Sequence, residues 1–251
     1  MQTVQSIDRG MDILEAFTYE KPELGLMEIC HIVGLTKGTV YRIVYTLAER
    51  GYISKDPISS KYRLGPKAFE IGSVAMSQME IRRTANPFLV KLSNITGETV
   101  HLVIHDRGEV LYLDKVDSPQ SIRMNSFTGQ RLPMHATGVG KVLLAYMSEE
   151  EVKSICNIKS LLRMTSNTIV SYEKLVQDLA VIKQNGYAFD NEESQEGLRC
   201  IAAPIRDYSE RVIAAISVSI PIMRFGDERV PSLLKNVLEI AAEISYQMGY
   251  R

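Results

Sequence analysis

Apolar positions along this chain come in two rhythms. From Ser6 to Phe17, the residues Ile7, Met11, Ile13, Leu14 and Phe17 form a stripe of helical period, which Pro22 and Gly25 interrupt. A short helix follows over about 26–33 and stops at Gly34. Thr36 then stands where an N-cap belongs, with its hydroxyl free to accept a backbone N–H of the next turn. Val40, Ile43, Val44 and Leu47 fall at i, i+3, i+4 and i+7, so the next helix runs to about Arg50 and Gly51 stops it. Two short strands, 52–55 and 61–64, flank the turn Asp56-Pro57-Ile58-Ser59-Ser60. Helix, short helix, turn, helix, hairpin is the order of a winged helix-turn-helix.

Gly65-Pro66 marks a boundary. Helical spacing resumes over about 67–79 and again up to Ile95, and after Gly97 the texture changes. Strands are expected at 99–104 and 110–116, turning at Asp106-Arg107-Gly108, and a third near 121–125. A helix starts near Gly138, Ser148 with Glu151 makes a capping box, and a helix over 171–185 ends at Gly186. Strands at 187–191, 198–205 and 212–221 and a closing helix from 230 complete the pattern. Strands and helices mixed without strict alternation predict an α+β fold on an antiparallel sheet. The expected organisation is two domains, 1–65 and 85–251, joined by a linker helix at 66–84; 251 residues exceed the roughly 150 of one ordinary core.

Composition narrows the class. Hydrophobic residues make up 45% and charged residues 24%, the profile of a soluble globular chain. No apolar run approaches the roughly 18 residues of a membrane helix, and MQTVQSIDRG lacks the pattern of a secretory signal. Cys30, Cys156 and Cys200 have neither disulfide nor metal-ligand spacing, which points to a reducing cytoplasm with no metal and no cofactor. The net charge of −1 argues against a polyanionic partner until it is divided by segment. Residues 1–33 hold two basic and six acidic side chains, whereas residues 34–65 hold six basic and two acidic. A patch of +4 therefore coincides with the helix-turn-helix, where double-stranded DNA would be met.

On the second helix of that motif, the face opposite the apolar stripe carries Gly38, Arg42, Tyr45 and Glu49, edged by Thr39 and Thr46, with Lys37 in the first turn. Lys37 and Arg42 suit guanine acceptors, and Thr39 suits a base edge or a thymine methyl. Lys61 and Arg63 on the wing are placed for phosphates. The same charges also fit an ordinary solvated face, and Arg9 fits either a phosphate contact or an intrahelical pair with Asp12.

The blocks SIDRGMDILEAF, LMEICHIVGLTKGTVYRIVYTLAERGYI and KYRLGPKAFEIG, then RLPMHATGVGKVLLA, GYAFDNEESQEGLRCIAAPI and VIAAISVSIP, resemble the IclR family of bacterial transcription regulators across the whole chain. The resemblance implies a GAF-like effector-binding C-terminal domain, dimers or tetramers, a palindromic operator and the role of a repressor. It also implies a site for a small organic acid on the backbone amides of Gly138 and Val139. Asp190, Cys200, Ser217 and Ser219 then form the polar wall, and Leu132 and Leu198 the apolar ones. A helix N-terminus suits a carboxylate, and Ser217 and Ser219, two apart on a strand, share a face. The sequence departs from the family at Val139, bulkier than the common alanine, and at Gly38, where serine is frequent.

Plainer readings of these residues stay open at this point. Asp190 suits a turn cap, Cys200 a buried small hydrophobe, His135 a backbone contact, and the two serines a mutual bond or a buried water. Two competing functions remain beside the regulator. One is a DNA-binding protein whose C-terminal half only oligomerises. The other is an enzyme with Cys200 as nucleophile, His135 as base and Asp190 as orienting group.

Overall fold

The structure, a computed structural model, describes residues 3–156 and 161–251, and the chain divides into two compact units, 1–79 and 80–251. In the first unit, helices α1 (Gln5–Glu15), α2 (Leu26–Val33) and α3 (Lys37–Glu49) precede an antiparallel hairpin of β1 (Ile53–Lys55) and β2 (Tyr62–Leu64), then α4 (Pro66–Ser77). Their apolar stripes meet in one core containing Ile13, Phe17, Leu24, Ile29, Val40, Val44, Ile53 and Tyr62. Backbone hydrogen bonds in both directions between Leu24 and Tyr62 tie the wing to the segment before α2.

In the second unit, α5 (Glu80–Thr96) leads into β3 (Thr99–Asp106), β4 (Glu109–Val116) and the short β5 (Arg131–Pro133). A 3-10 turn at Met134–Ala136 precedes α6 (Gly138–Ala145) and α7 (Glu149–Ile155). Then come α8 (Tyr172–Asn185), β6 (Ala188–Asn191), β7 (Leu198–Arg206), β8 (Val212–Pro221) and α9 (Val230–Gln247). The six strands form one antiparallel sheet in the order β5-β4-β3-β8-β7-β6. Helices α6 and α8 share an apolar core with Val103, Tyr112, Ala202 and Ala215 on one face. On the other side, α9 packs against α5, β7 and β8. With both faces covered, β8 reads as VIAAISVSIP, buried from Ala214 to Pro221.

Two expectations are corrected and one is refined. Thr36 has the extended backbone of an N-cap, but its hydroxyl caps no amide and lies 3.0 Å from the Thr39 hydroxyl instead. The span 66–84, named above as a linker helix, holds α4 and the start of α5, with a break at 78–79 where the helical spacing of the sequence also divides. The segment near 121–125 forms no strand; Ile122 and Met124 gave it an alternating look, yet the third neighbour of the hairpin is β5.

All eight residues of α6 are buried, and its first turn is seated by glycines. A Cβ at Gly140 would stand 2.1 Å from the Met134 carbonyl oxygen, so only glycine lets the 3-10 turn lie under the helix. Gly140→Ala therefore overpacks this junction and is expected to cost about 1–3 kcal/mol of stability. Thermal unfolding checks it, and an unchanged melting temperature would mean that the turn is free to move.

Candidate functional site

The first unit presents an exposed cationic face. Lys37 and Arg42 on α3 are exposed, Thr39 is half-buried, and Lys61 and Arg63 on the wing are exposed. Among the described residues none of these four cations forms an ion pair, so their charge is left for an outside anion. The wing turn is shaped by Asp56, which accepts hydrogen bonds from Ile58 N (2.9 Å), Ser59 N (2.6 Å) and Ser59 Oγ (3.0 Å). Those bonds, the Ser59 amide first, hold the Asp56 carboxyl below its ordinary range. The wing tip that results carries Ile58 at 94% exposure, and Tyr41 joins Tyr45 on the open side of α3.

In the second unit, strand register aligns the chemistry. Asp190, Cys200, Ser219 and Thr99 lie in one transverse row across β6, β7, β8 and β3, and Ala188, Ala202, Ser217 and His101 lie in the next. Directly opposed residues share a face, so both rows line the α6 side of the sheet. Ser219 Oγ is 3.1 Å from Cys200 Sγ and 3.3 Å from His101 Nδ1, and His101 Nε2 is 2.8 Å from Ser126 Oγ. Burial, helped by Lys115, lowers the His101 pKa to about 3, so the ring is neutral and bridges two hydroxyls. Ser217 is buried, and its hydroxyl makes no side-chain hydrogen bond among the described residues.

Helix α6 begins against these rows. A Cβ on Gly138 would lie 3.4 Å from the backbone N and Cβ of Asp190 and 3.5 Å from the Ala202 Cβ. Thr137 Oγ1 accepts the Gly140 amide at 3.0 Å, whereas the Gly138 and Val139 amides have no acceptor among the described residues. Val139 sends its side chain into the core shared with Leu132. Asp190 caps its own loop, accepting from Glu193 N (2.7 Å), Ser194 N (3.4 Å) and Ser194 Oγ (2.7 Å). Lys141 of α6 clamps that loop through Glu193 (2.6 Å) and reaches Asp178 of α8 (3.0 Å). Burial works to lower the Lys141 pKa, but the two carboxylates outweigh it and the net shift is upward.

The segment 117–130 covers the polar rows. Met124 packs on Leu198 and Cys200, Ser126 meets His101, and the Ser126 carbonyl accepts from Lys115. Its outer end is fixed by Arg224, whose Nη1 donates to the Ile122 carbonyl at 2.9 Å while Nε and Nη2 hold Glu98 at 3.0 and 2.6 Å.

The enzyme reading finds no support in these contacts. His135 Nε2 is 3.0 Å from the Leu162 carbonyl, Cys200 is bonded to Ser219, and Asp190 is bonded to its own loop. Burial, with Asp190 adding to it, pushes the Cys200 thiol well above its ordinary range, the reverse of an activated thiolate.

A model of the IclR helix-turn-helix domain matches residues 6–57, and one of the bacterial transcriptional regulator IclR C-terminal region matches residues 73–246. The chain belongs to the IclR family. It is 40% identical over 248 residues to the HTH-type transcriptional regulator KdgR of Escherichia coli K12, spanning 99% of this chain and 94% of that relative. XynR of the same organism is 36% identical, over 100% of this chain and 99% of that relative. The crystal structure of the Thermotoga maritima IclR superposes with a TM-score of 0.80 at 32% identity over 98% and 99% of the two chains. An IclR homolog from Microbacterium hydrocarbonoxydans, solved with 4-hydroxybenzoate, gives 0.85 at 26% identity over 97% and 98%. As in those IclR structures, the fold is α+β in two domains, and α2 and α3 are the helix-turn-helix of a DNA-binding unit. The relatives are named as transcription regulators, not enzymes. No helix among the described residues is long and apolar enough to cross a membrane.

Of the residues singled out in the sequence, Asp190, Cys200, Ser217, Ser219 and Gly138 come together in this IclR fold, with Leu198 under Met124. Leu132 lies on β5, at the far end of the strand order. His101, Ser126 and Lys115 were missed. A histidine inside an apolar strand was the available signal. Because unfolded histidine titrates near 6.5 and folded His101 near 3, the unfolded chain takes up a proton first as pH falls. Stability from this ring is thus present above about pH 6.5 and lost towards pH 3, at up to about 1.4 kcal/mol per pH unit. The melting temperature of His101→Gln is expected to fall less steeply between pH 7 and 5 than that of the parent. Equal slopes would contradict a neutral buried His101.

Proposed function

We propose that the chain is an effector-responsive repressor that works as a homodimer or homotetramer. Residues 1–65 read a palindromic operator, 66–84 link the domains, and 85–251 bind a small organic acid. The observation that carries the effector reading is the pair of amides at Gly138 and Val139 that, like the nearby Ser217 hydroxyl, have no hydrogen-bond partner among the described residues. A helix N-terminus holds a partial positive charge, and buried donors without acceptors are costly unless a ligand supplies them. In this reading the two amides take the carboxylate and Ser217 a second oxygen. Ser219 is the reserve hydroxyl, Leu198, Leu132 and Cys200 bound the apolar side, and Asp190 shapes the loop. The solved complex of the Microbacterium homolog with an aromatic carboxylate supports the ligand class, and relatives named as repressors, such as that of the acetate operon, support the direction of control.

On DNA, Lys37, Thr39 and Arg42 face base edges, Thr36 orients Thr39, and Lys61 and Arg63 hold phosphates. The alternative, a C-terminal domain that only oligomerises, draws on the internal pairing of Asp190 and Ser219. It leaves Ser217 and the two amides unexplained.

A thermal-shift screen of small organic and aromatic acids, 4-hydroxybenzoate among them, tests the effector site. A ligand at about 100 times its Kd adds about 2.7 kcal/mol of stability. Ser217→Ala is expected to lose most of that gain and to keep operator affinity; a full shift in the variant would reject the site. Arg42→Ala is expected to weaken operator binding by about 1–3 kcal/mol and to relax specificity at one base pair, as read by gel shift. Parent-like affinity would remove Arg42 from the interface.

A further inference from the structure

We infer that the opposite face of the sheet carries a second anion site, centred on Arg199, for a small carboxylate with a flat apolar body. Alternation places it: Asp190 and Cys200 point to the α6 side, so their neighbours Asn191 and Arg199, paired in register, point away. There a cavity of about 320 Å³ is lined by Phe189, Asp190 and Asn191 of β6, Arg199 of β7, Phe225 beyond β8 and Val230 at the start of α9. That volume is at the lower end for small-molecule sites.

Arg199 is the unsatisfied element. Its Nε is buried without a hydrogen-bond partner, and it forms no ion pair among the described residues. Its guanidinium lies 5.3 Å over the Phe225 ring, which fixes the plane of the fork while leaving its edge for an acceptor. The other charged residue lining the cavity, Asp190, does not neutralise it, because both its carboxylate oxygens are bonded to Glu193 and Ser194 on the far side of the strand. A planar fork with a buried donor selects a carboxylate, which can accept in two parallel bonds.

The walls select the rest of the ligand. Phe189 is braced edge-on by Tyr187 at 5.6 Å, so the cavity offers two aromatic side chains and Val230 to an apolar body. Phe225 is held firmly as well. Arg224, just before it, binds buried Glu98, and Arg229 reaches Glu98 at 3.3 Å and the Thr96 carbonyl at 3.0 Å. The site is thus formed before any ligand arrives, and it uses none of the groups at the start of α6.

Equilibrium dialysis of the full chain against labelled benzoate tests the inference, with parent, Ser217→Ala, Arg199→Gln and Phe225→Leu compared at equal melting temperature. Arg199→Gln is expected to bind one benzoate fewer per chain than the parent, and Ser217→Ala to keep the Arg199 site. Phe225→Leu, which keeps an apolar filler but removes the ring face, is expected to weaken that site at least fivefold. Equal stoichiometry and affinity in parent and Arg199→Gln would overturn the proposal. Inorganic phosphate competing as well as benzoate would overturn the ligand class, since it uses none of the apolar wall. Loss of binding in Ser217→Ala alone would place the benzoate at α6 and likewise refute a site at Arg199.

Discussion

The close seating of the first turn of α6 is the constraint on which the C-terminal unit and its proposed site depend. Gly140 permits it, because the Met134 carbonyl occupies the space of a Cβ, whereas a Cβ at Gly138 would make only ordinary van der Waals contact with Asp190 and Ala202. The seating brings a helix N-terminus to a sheet face and buries it there. Thr137 satisfies one amide, and Gly138 and Val139 keep theirs. A polar deficit is therefore built into the core, where register has also put the Ser217 hydroxyl, which has no hydrogen-bond partner among the described residues. The arrangement costs stability unless something with lone pairs arrives, and that cost is what supports the proposed ligand site.

The groups around this deficit bond to one another and hold it in shape. Ser219, Cys200, His101 and Ser126 form a closed chain of contacts that joins the sheet to the covering segment 117–130. Lys141 clamps the 190–194 loop from within α6, and Glu98 with Arg224 bolts the outer end of the cover. Neutral His101 and the protonated Cys200 thiol add no formal charge to the polar rows. A carboxylate entering at α6 thus meets dipoles rather than a fixed negative charge, apart from Asp190, whose oxygens are already engaged. In the first unit the situation is reversed: Lys37, Arg42, Lys61 and Arg63, with no ion pair among the described residues, stand in solvent, which suits a polyanion and makes binding sensitive to salt.

Much of this was legible in the residues. The i, i+3, i+4, i+7 stripe of α3, the glycines after α2 and α3 and the alternation of Ser217 with Ser219 each report a local rule, and local rules survive into the fold. Splitting the charge by segment placed on the helix-turn-helix region a basic patch that the total concealed. What was not legible depends on separation along the chain. His101 and Ser126 are 25 residues apart, Lys141 and Glu193 are 52 apart, and Glu98 meets Arg224 across 126. The segment near 121–125 looked like a strand because Ile122 and Met124 alternate with polar residues. In the fold Met124 packs onto Leu198 and Cys200, which needs no ladder. Thr36 was read by its position, but Thr39 offered its hydroxyl a nearer partner than the backbone did.

The central claim, that the two free amides of α6 receive the effector carboxylate, is tested most directly by their own resonances. The acid that stabilises the protein most strongly in a thermal screen is titrated into labelled protein while the Gly138 and Val139 amide protons are followed by NMR. Saturable downfield shifts of both protons, larger than those of the capped Gly140 amide, are the predicted result. Stabilisation by the acid with those two resonances unmoved would contradict the account.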